Sequence, residues 1–254
     1  MFFNVLENQF DLFTISLFVL LFSGLYYRLF AVIMASMVPG PQFPISGPRS
    51  PVLGPSNTSN SVLFLDLEAT CNEVRGEKIK YSLHEIIEIS CISWSIGNKA
   101  HDYKIFHEYV KPQVNPVLSD FCTSLTGISQ RQVEESDEFP VVVGQFKEWL
   151  NSLNIDLEST KFVCFGFWDS KKALPRNCLF HKLDVPKPFV HLENLVNFRE
   201  LFGEKVNNRP SGLPEVLNYF NLTFQGRLHS ALDDVKNLHQ VFSTCMDLGW
   251  EMKV

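Results

Sequence analysis

The sequence predicts an α/β domain built on a mixed sheet. Three strand-like runs follow one another closely, helical and strand-like patterns then alternate, and 45% hydrophobic residues in a chain of 254 supply one full core. Val62 to Leu67 is an apolar run, Ile86 to Ile96 is rich in isoleucine with serine interleaved, and Lys104 to Val110 alternates, so these read as three strands of an antiparallel meander. From Phe139 to Leu153 the apolar residues Val142, Phe146, Trp149, Leu150 and Leu153 fall at helical spacing. A short strand is expected at Lys161 to Phe165, a helix from about Ser170 to Lys182, and another strand around Phe189 to Leu192. Ser211 suits the N-cap of a helix running through Tyr219, and a final helix is expected from about Ser230 to Leu248. There is no internal repeat.

Composition excludes a disordered chain, and a formal charge of −6 argues against nucleic-acid binding, which normally asks for a basic face. The six cysteines are scattered singly, with neither zinc spacing nor a disulfide frame, and read as buried thiols of a reducing compartment. Residues 1–38 are hydrophobic. The apolar stretch Leu12 to Tyr27, then Arg28, then Leu29 to Met37, is long enough to span a bilayer with one interrupting charge. Glu7 and Asp11 precede it and Arg28 and Arg49 follow, which argues against a cleaved signal and, if the segment inserts, leaves the rest of the chain in the cytosol. The competing reading takes Met34 or Met37 as the working start, with no membrane association and the nucleus open to the protein. Residues 39–60 hold most of the local Pro, Gly, Ser and Asn without an apolar period, as a linker does, so the domain is expected over 61–254.

Three places carry candidate chemistry. Asp66 and Glu68 lie two apart in a strand, so they project from one face about 7 Å apart. Acids in an otherwise apolar strand cost several kcal/mol unless hydrogen bonds or a cation compensate, and carboxylates are what Mg²⁺ or Mn²⁺ prefers. Alone, Asp-x-Glu is a weak motif, more readily read as a chance pair or a strand end. In the last helix Asp234 shares a stripe with Leu238, Val241, Cys245 and Leu248, whereas Asp233 shares one with Asn237, Gln240 and Thr244, so Asp234 is expected to face the core and Asp233 the solvent. His229 lies just ahead, where an imidazole suits a general base. Asp169 falls where a strand ends and a helix begins, a position for a site residue or simply an N-cap.

The order Asp-x-Glu, Asp, His-x4-Asp resembles that of the DEDDh exonucleases of the ribonuclease H-like superfamily. The segments FLDLEATC (64–71), HEIIEI (84–89), LSDFCTSLTGI (118–128), WDSKKALP (168–175) and GRLHSALDDVKN (226–237) resemble its Eri-type, 3′ histone mRNA exonuclease-like branch, and the likeness covers residues 61 to 248. The resemblance implies a ribonuclease H-like mixed five-stranded sheet flanked by helices. It implies 3′→5′ removal of nucleoside 5′-monophosphates from single-stranded RNA 3′ ends, by two-metal-ion hydrolysis with Mg²⁺, for which Mn²⁺ may substitute. Asp66 would bridge both ions, Glu68, Asp169 and Asp234 would complete the shells, and His229 would take the proton of the attacking water. The 3′-terminal nucleotide would lie against Glu68, Ala69 and Thr70, with Leu125, Thr126 and Trp168 also in contact; Leu125 to Ile128 reads as well as a helix-ending turn with Gly127 at its C-cap. Bound cations would offset part of the negative charge, and Lys171, Lys172, Arg176, Lys182 and Lys187 follow Asp169, either as a track for a phosphate backbone or as a solvated helix face. Phe165 and Phe167 stand where related sequences carry acidic or polar residues, which bears on substrate preference. With no SAP-like module or zinc-binding extension in the sequence, affinity for structured RNA is not expected, nor is an obligate protein partner. The rival readings are a DNA-directed or sugar-indiscriminate exonuclease, and a silent membrane-tethered RNA-binding protein, which loss of a ligand would favour; none is lost.

Overall fold

A computed structural model describes residues 60–72 and 84–251. The apolar stretch 12–37 and almost all of the expected linker lie outside them. Among the described residues no helix is long and apolar enough to cross a membrane. Strands β1 (Ser61–Ala69), β2 (Ile86–Ser95) and β3 (Tyr103–Tyr109) form the expected meander. Helices α1 (Asp120–Thr126), α2 (Gln130–Glu134) and α3 (Phe139–Ser152) follow, then β4 (Lys161–Cys164). A π-wound turn, Asp169–Ala173, runs into α4 (Leu174–Phe180); β5 (Leu195–Asn197), α5 (Phe198–Val206), α6 (Leu213–Tyr219) and α7 (Ala231–Asp247) complete the domain.

The sheet order is β3-β2-β1-β4-β5, with β1 antiparallel to β2 and parallel to β4, and β4 parallel to β5. This is the ribonuclease H-like mixed sheet. The period of two in β1 divides the core. Leu63, Leu65 and Leu67 join Phe146, Leu150, Phe162 and Phe189 beneath α3 and α4, while Val62 and Phe64 join Val235, Leu238, Val241 and Phe242 of α7. Asp66 and Glu68 continue the second stripe, so they emerge on the face that α7 covers.

Several expectations need correction. The strand expected around 189–192 is a turn, in which His191 N–H donates to the Pro188 carbonyl at 2.8 Å. Phe189 is instead a core residue, its ring 5.0 Å from Phe162 and 5.7 Å from Phe146, and the ladder to β4 is made by 195–197. The helix expected over 170–182 ends at Phe180 and opens on a π turn. Gly212, not Ser211, caps α6; Ser211 uses its N–H and hydroxyl on the Glu215 carboxylate at 2.8 and 2.7 Å. Helices α2 and α5 were not expected. Gly127 does end α1 in a left-handed conformation, φ 77°, and a Cβ there would come within 2.5 Å of the Arg227 side chain.

Candidate active site

The site forms at the carboxyl ends of β1 and β4, where an open α/β sheet leaves a crevice. Asp66, Glu68, His229 and Asp234 line a cleft of about 580 Å³ together with Phe165, Trp168, Arg199, Leu213 and Leu228. Glu68, His229 and Asp234 offer ligand atoms that all lie within 4.8 Å of one another. Asp169 is buried, 7% exposed, at the start of the π turn, and its charge acts on Asp66, Glu68 and Asp234. Such turns often mark functional positions because they swing one side chain out of helical register.

Electrostatics tie the four acids together. Burial and then the charges of Asp169, Asp234, Glu68 and Glu88 push the Asp66 carboxyl well above the usual range. Burial, then Asp234, Glu88 and Asp169, push Glu68 up to about 8. Burial pushes Asp169 up to about 7 although its own and Leu67's N–H groups oppose the shift. Asp234 also reaches about 7, raised by burial and by Asp233, Glu88 and Asp169 against the stabilising His229 N–H. Four acids whose charged forms are disfavoured by burial first, and for Asp66, Glu68 and Asp234 by neighbouring acids as well, suit a divalent cation at their oxygen donors.

His229 is exposed and has φ 64°, in the left-handed region that costs a non-glycine residue on the order of 1 kcal/mol. Its N–H donates to Asp234 Oδ2 at 2.8 Å, which holds it there. Burial and the neighbouring Arg227 charge lower its pKa from the usual 6.5. Asp233 points elsewhere: its Oδ2 accepts the Arg227 N–H at 2.8 Å. The expected solvent stripe is therefore only partly solvent-facing. Asn237 is buried, and its side-chain amide donates to the Gln225 and Asp233 carbonyls at 2.8 and 2.7 Å, so this face of α7 fastens the 225–227 loop.

The expected substrate residues divide. Trp168 is 40% exposed at the cleft. Ala69 and Thr70 are buried beyond the cleft's lining, and Thr70 Oγ1 accepts the Glu85 N–H at 3.0 Å. Thr126 spends its hydroxyl inside α1, donating to the Cys122 carbonyl at 2.9 Å and accepting the Ile128 N–H at 3.1 Å. Leu125 is half-buried, and its carbonyl lies 3.4 Å from Arg227 Nη2. Hydrogen bonding thus engages the Thr126 hydroxyl as donor and, once, as acceptor. Of the five cations after Asp169, Lys187 pairs with Glu158 and leaves the track. Cleft residues that sequence reasoning missed include Arg199 on α5, whose guanidinium donates to the Pro210 and Ser211 carbonyls at 2.8 and 3.2 Å. Glu88 was missed as well, although it lies in the HEIIEI segment.

Residues 63–242 match the exonuclease family model, RNase_T. The rat 3′-5′ exoribonuclease 1 is 34% identical over 202 residues, covering 76% of this chain and 55% of that protein, so this chain spans about half the length of that relative. The nuclease domain of 3′hExo, a DEDDh family member, bound to rAMP, aligns with a TM-score of 0.67 at 30% identity, covering 78% of this chain and 98% of that one. A 3′-exonuclease solved in 3′-end specific recognition of histone mRNA stem-loop also gives 0.67, at 28% identity, with 78% of this chain and 87% of that one covered. A family model that runs from β1 into α7, and relatives that share both the fold and nearly a third of the residues, lead to one conclusion: the chain belongs to the exonuclease family, in its DEDDh, ERI1-like branch.

Proposed function

We propose that this chain is a metal-dependent 3′→5′ exoribonuclease that releases nucleoside 5′-monophosphates from single-stranded RNA. The observation that carries the reading is the meeting of Asp66, Glu68, Asp234 and His229 in one open cleft, with the charge of buried Asp169 acting on the three acids. Asp66, Glu68, Asp169 and Asp234 would hold Mg²⁺, with Mn²⁺ as substitute. When bound, a pair of such ions would acidify the attacking water, polarise the phosphate and offset charge on the departing 3′ oxygen. His229, exposed and with a lowered pKa, is neutral at pH 7 and takes the proton of the attacking water. Trp168 offers the terminal nucleotide an exposed aromatic face. Names of relatives support RNA as the substrate.

Matched 5′-labelled RNA and DNA oligonucleotides test the reading. RNA should shorten from its 3′ end in single-nucleotide steps with Mg²⁺ or Mn²⁺ and stay intact in EDTA. Equal or faster loss of DNA would replace the RNA reading with a sugar-indiscriminate one, and cleavage that survives EDTA would sink the metal-dependent one.

A pH dependence follows from the raised carboxyls. Their folded-state pKa values, about 8 for Glu68 and about 7 for Asp169 and Asp234, exceed the ordinary 4.5 and 3.8. Their contribution to stability is therefore fully present below about pH 4 and lost as pH rises through 7 to 8. His239, walled by Phe64, Trp94 and Tyr103 and lowered to about 4, acts oppositely, but only below pH 6.5. In EDTA the melting temperature should fall from pH 6.5 to 8.5, and Mg²⁺ should raise it more at pH 8.5 than at 6.5. A flat or rising profile in EDTA would show that burial and neighbouring charge do not raise these carboxyls as described.

A further inference from the structure

We propose that Glu88 is a positioning residue of this site: it clamps the first turn of α7 to the sheet and thereby sets Asp234 and His229 against Glu68. The inference rests on the exonuclease reading. The first N–H groups of any helix need acceptors from outside it, and the N-cap of α7, Ser230, makes no side-chain capping bond. Glu88 takes that role from 143 residues away in sequence. Its Oε2 accepts the Ala231 N–H at 3.0 Å and its Oε1 lies 3.4 Å from the Leu232 N–H. The Glu88 side chain is 1% exposed, and on its other side His107 Nε2 of β3 lies 2.8 Å from Oε1.

The register gives the clamp its consequence. Glu88 stands directly across the β1–β2 ladder from Glu68. One cross-strand pair therefore carries a candidate metal ligand on β1 and the anchor of the α7 N-terminus on β2. Asp234 hangs from the same first turn, its N–H donating to the Ser230 carbonyl at 2.8 Å, and its carboxylate in turn holds His229. Glu88 adds a fifth negative charge beside Asp66, Glu68 and Asp234, an unfavourable addition that a purely structural cap at Ser230 would avoid. Partners that orient metal ligands in this way typically govern metal affinity by about 10- to 100-fold.

The test is Glu88→Leu in the full chain, which leaves no acceptor for the Ala231 and Leu232 N–H groups, read by Mn²⁺ affinity, single-turnover rate at saturating RNA and metal, KM and melting temperature. The expected result is Mn²⁺ binding weakened about tenfold or more and a rate reduced by a similar factor, with KM for RNA within about twofold. A lower melting temperature with Mn²⁺ affinity and rate both within about twofold of wild type would overturn the proposal, since a merely structural cap moves only stability. Should Glu88→Leu not fold, His107→Phe decides, because it keeps a ring at this half-buried position but has no donor for Glu88: a loss of Mn²⁺ affinity of about threefold or more supports the clamp, and unchanged affinity overturns it. Wild-type protein that binds Mn²⁺ but leaves RNA intact would contradict the exonuclease reading alone, and the Mn²⁺ comparison would still judge Glu88.

Discussion

Asp234→Asn should lower the single-turnover rate by at least about 10³-fold, while Asp233→Asn should leave it within about twofold. The two acids are neighbours on α7 and differ in what they face. Asp234 lines the cleft within reach of Glu68 and His229, and its charge is part of the field that pushes Glu68 up to about 8. Replacing it with an amide removes an anionic donor from a cation site and weakens the acceptor that holds the His229 backbone. Asp233 accepts one N–H from Arg227, and the carbonyl oxygen of Asn can still accept that bond. Rates at saturating RNA, measured beside Mn²⁺ affinity, separate the two: equal losses would mean that the wrong acid has been assigned to the site.

His229→Asn is expected to reduce the rate by roughly 10²- to 10⁴-fold while the melting temperature stays close to that of wild type. Asn tolerates the left-handed backbone better than most residues, and it keeps the N–H that donates to Asp234, so the loop has little reason to loosen. It cannot take a proton. In wild type at saturating Mn²⁺ the rate should rise with pH and level off around a pKa below 6.5, because burial and the Arg227 charge disfavour the imidazolium. A folded His229→Asn variant with near-wild-type rate would limit His229 to shaping the loop.

How far the sequence carried this picture depended on whether a feature was local. Asp66 and Glu68 stand out because a period of two in β1 assigns them to one face, and the α7 stripe separates Asp234 from Asp233 by angle alone. The meander, α3, β4 and α7 have strong periods and appear within a residue or two of their expected ends. Where local pattern is weak the expectations failed. The aromatic run at 189–192 looks like a strand, yet Phe189 is buried between Phe146 and Phe162, and the sheet takes the short segment 195–197 instead. Arg199 is a different case: α5 carries a legible stripe, Phe198, Leu201, Phe202 and Val206, but nothing in that pattern shows that a cation on its polar side will border the cleft. Glu88 was beyond local reading altogether: its partners are the N–H groups of a helix 143 residues later, and an acid within an isoleucine-rich strand gives no sign of which element it will cap. The bonds of the Thr126 hydroxyl at the end of α1 were likewise beyond local reading.

The central claim is that four carboxylates from three separate parts of the chain form one divalent-cation site. Anomalous scattering from crystals grown with Mn²⁺ tests it most directly. The account predicts two peaks about 4 Å apart, bounded by the carboxylates of Asp66, Glu68, Asp169 and Asp234. Peaks elsewhere, or any of those four carboxyl groups more than about 8 Å from the rest, beyond the reach of such a pair, would contradict it.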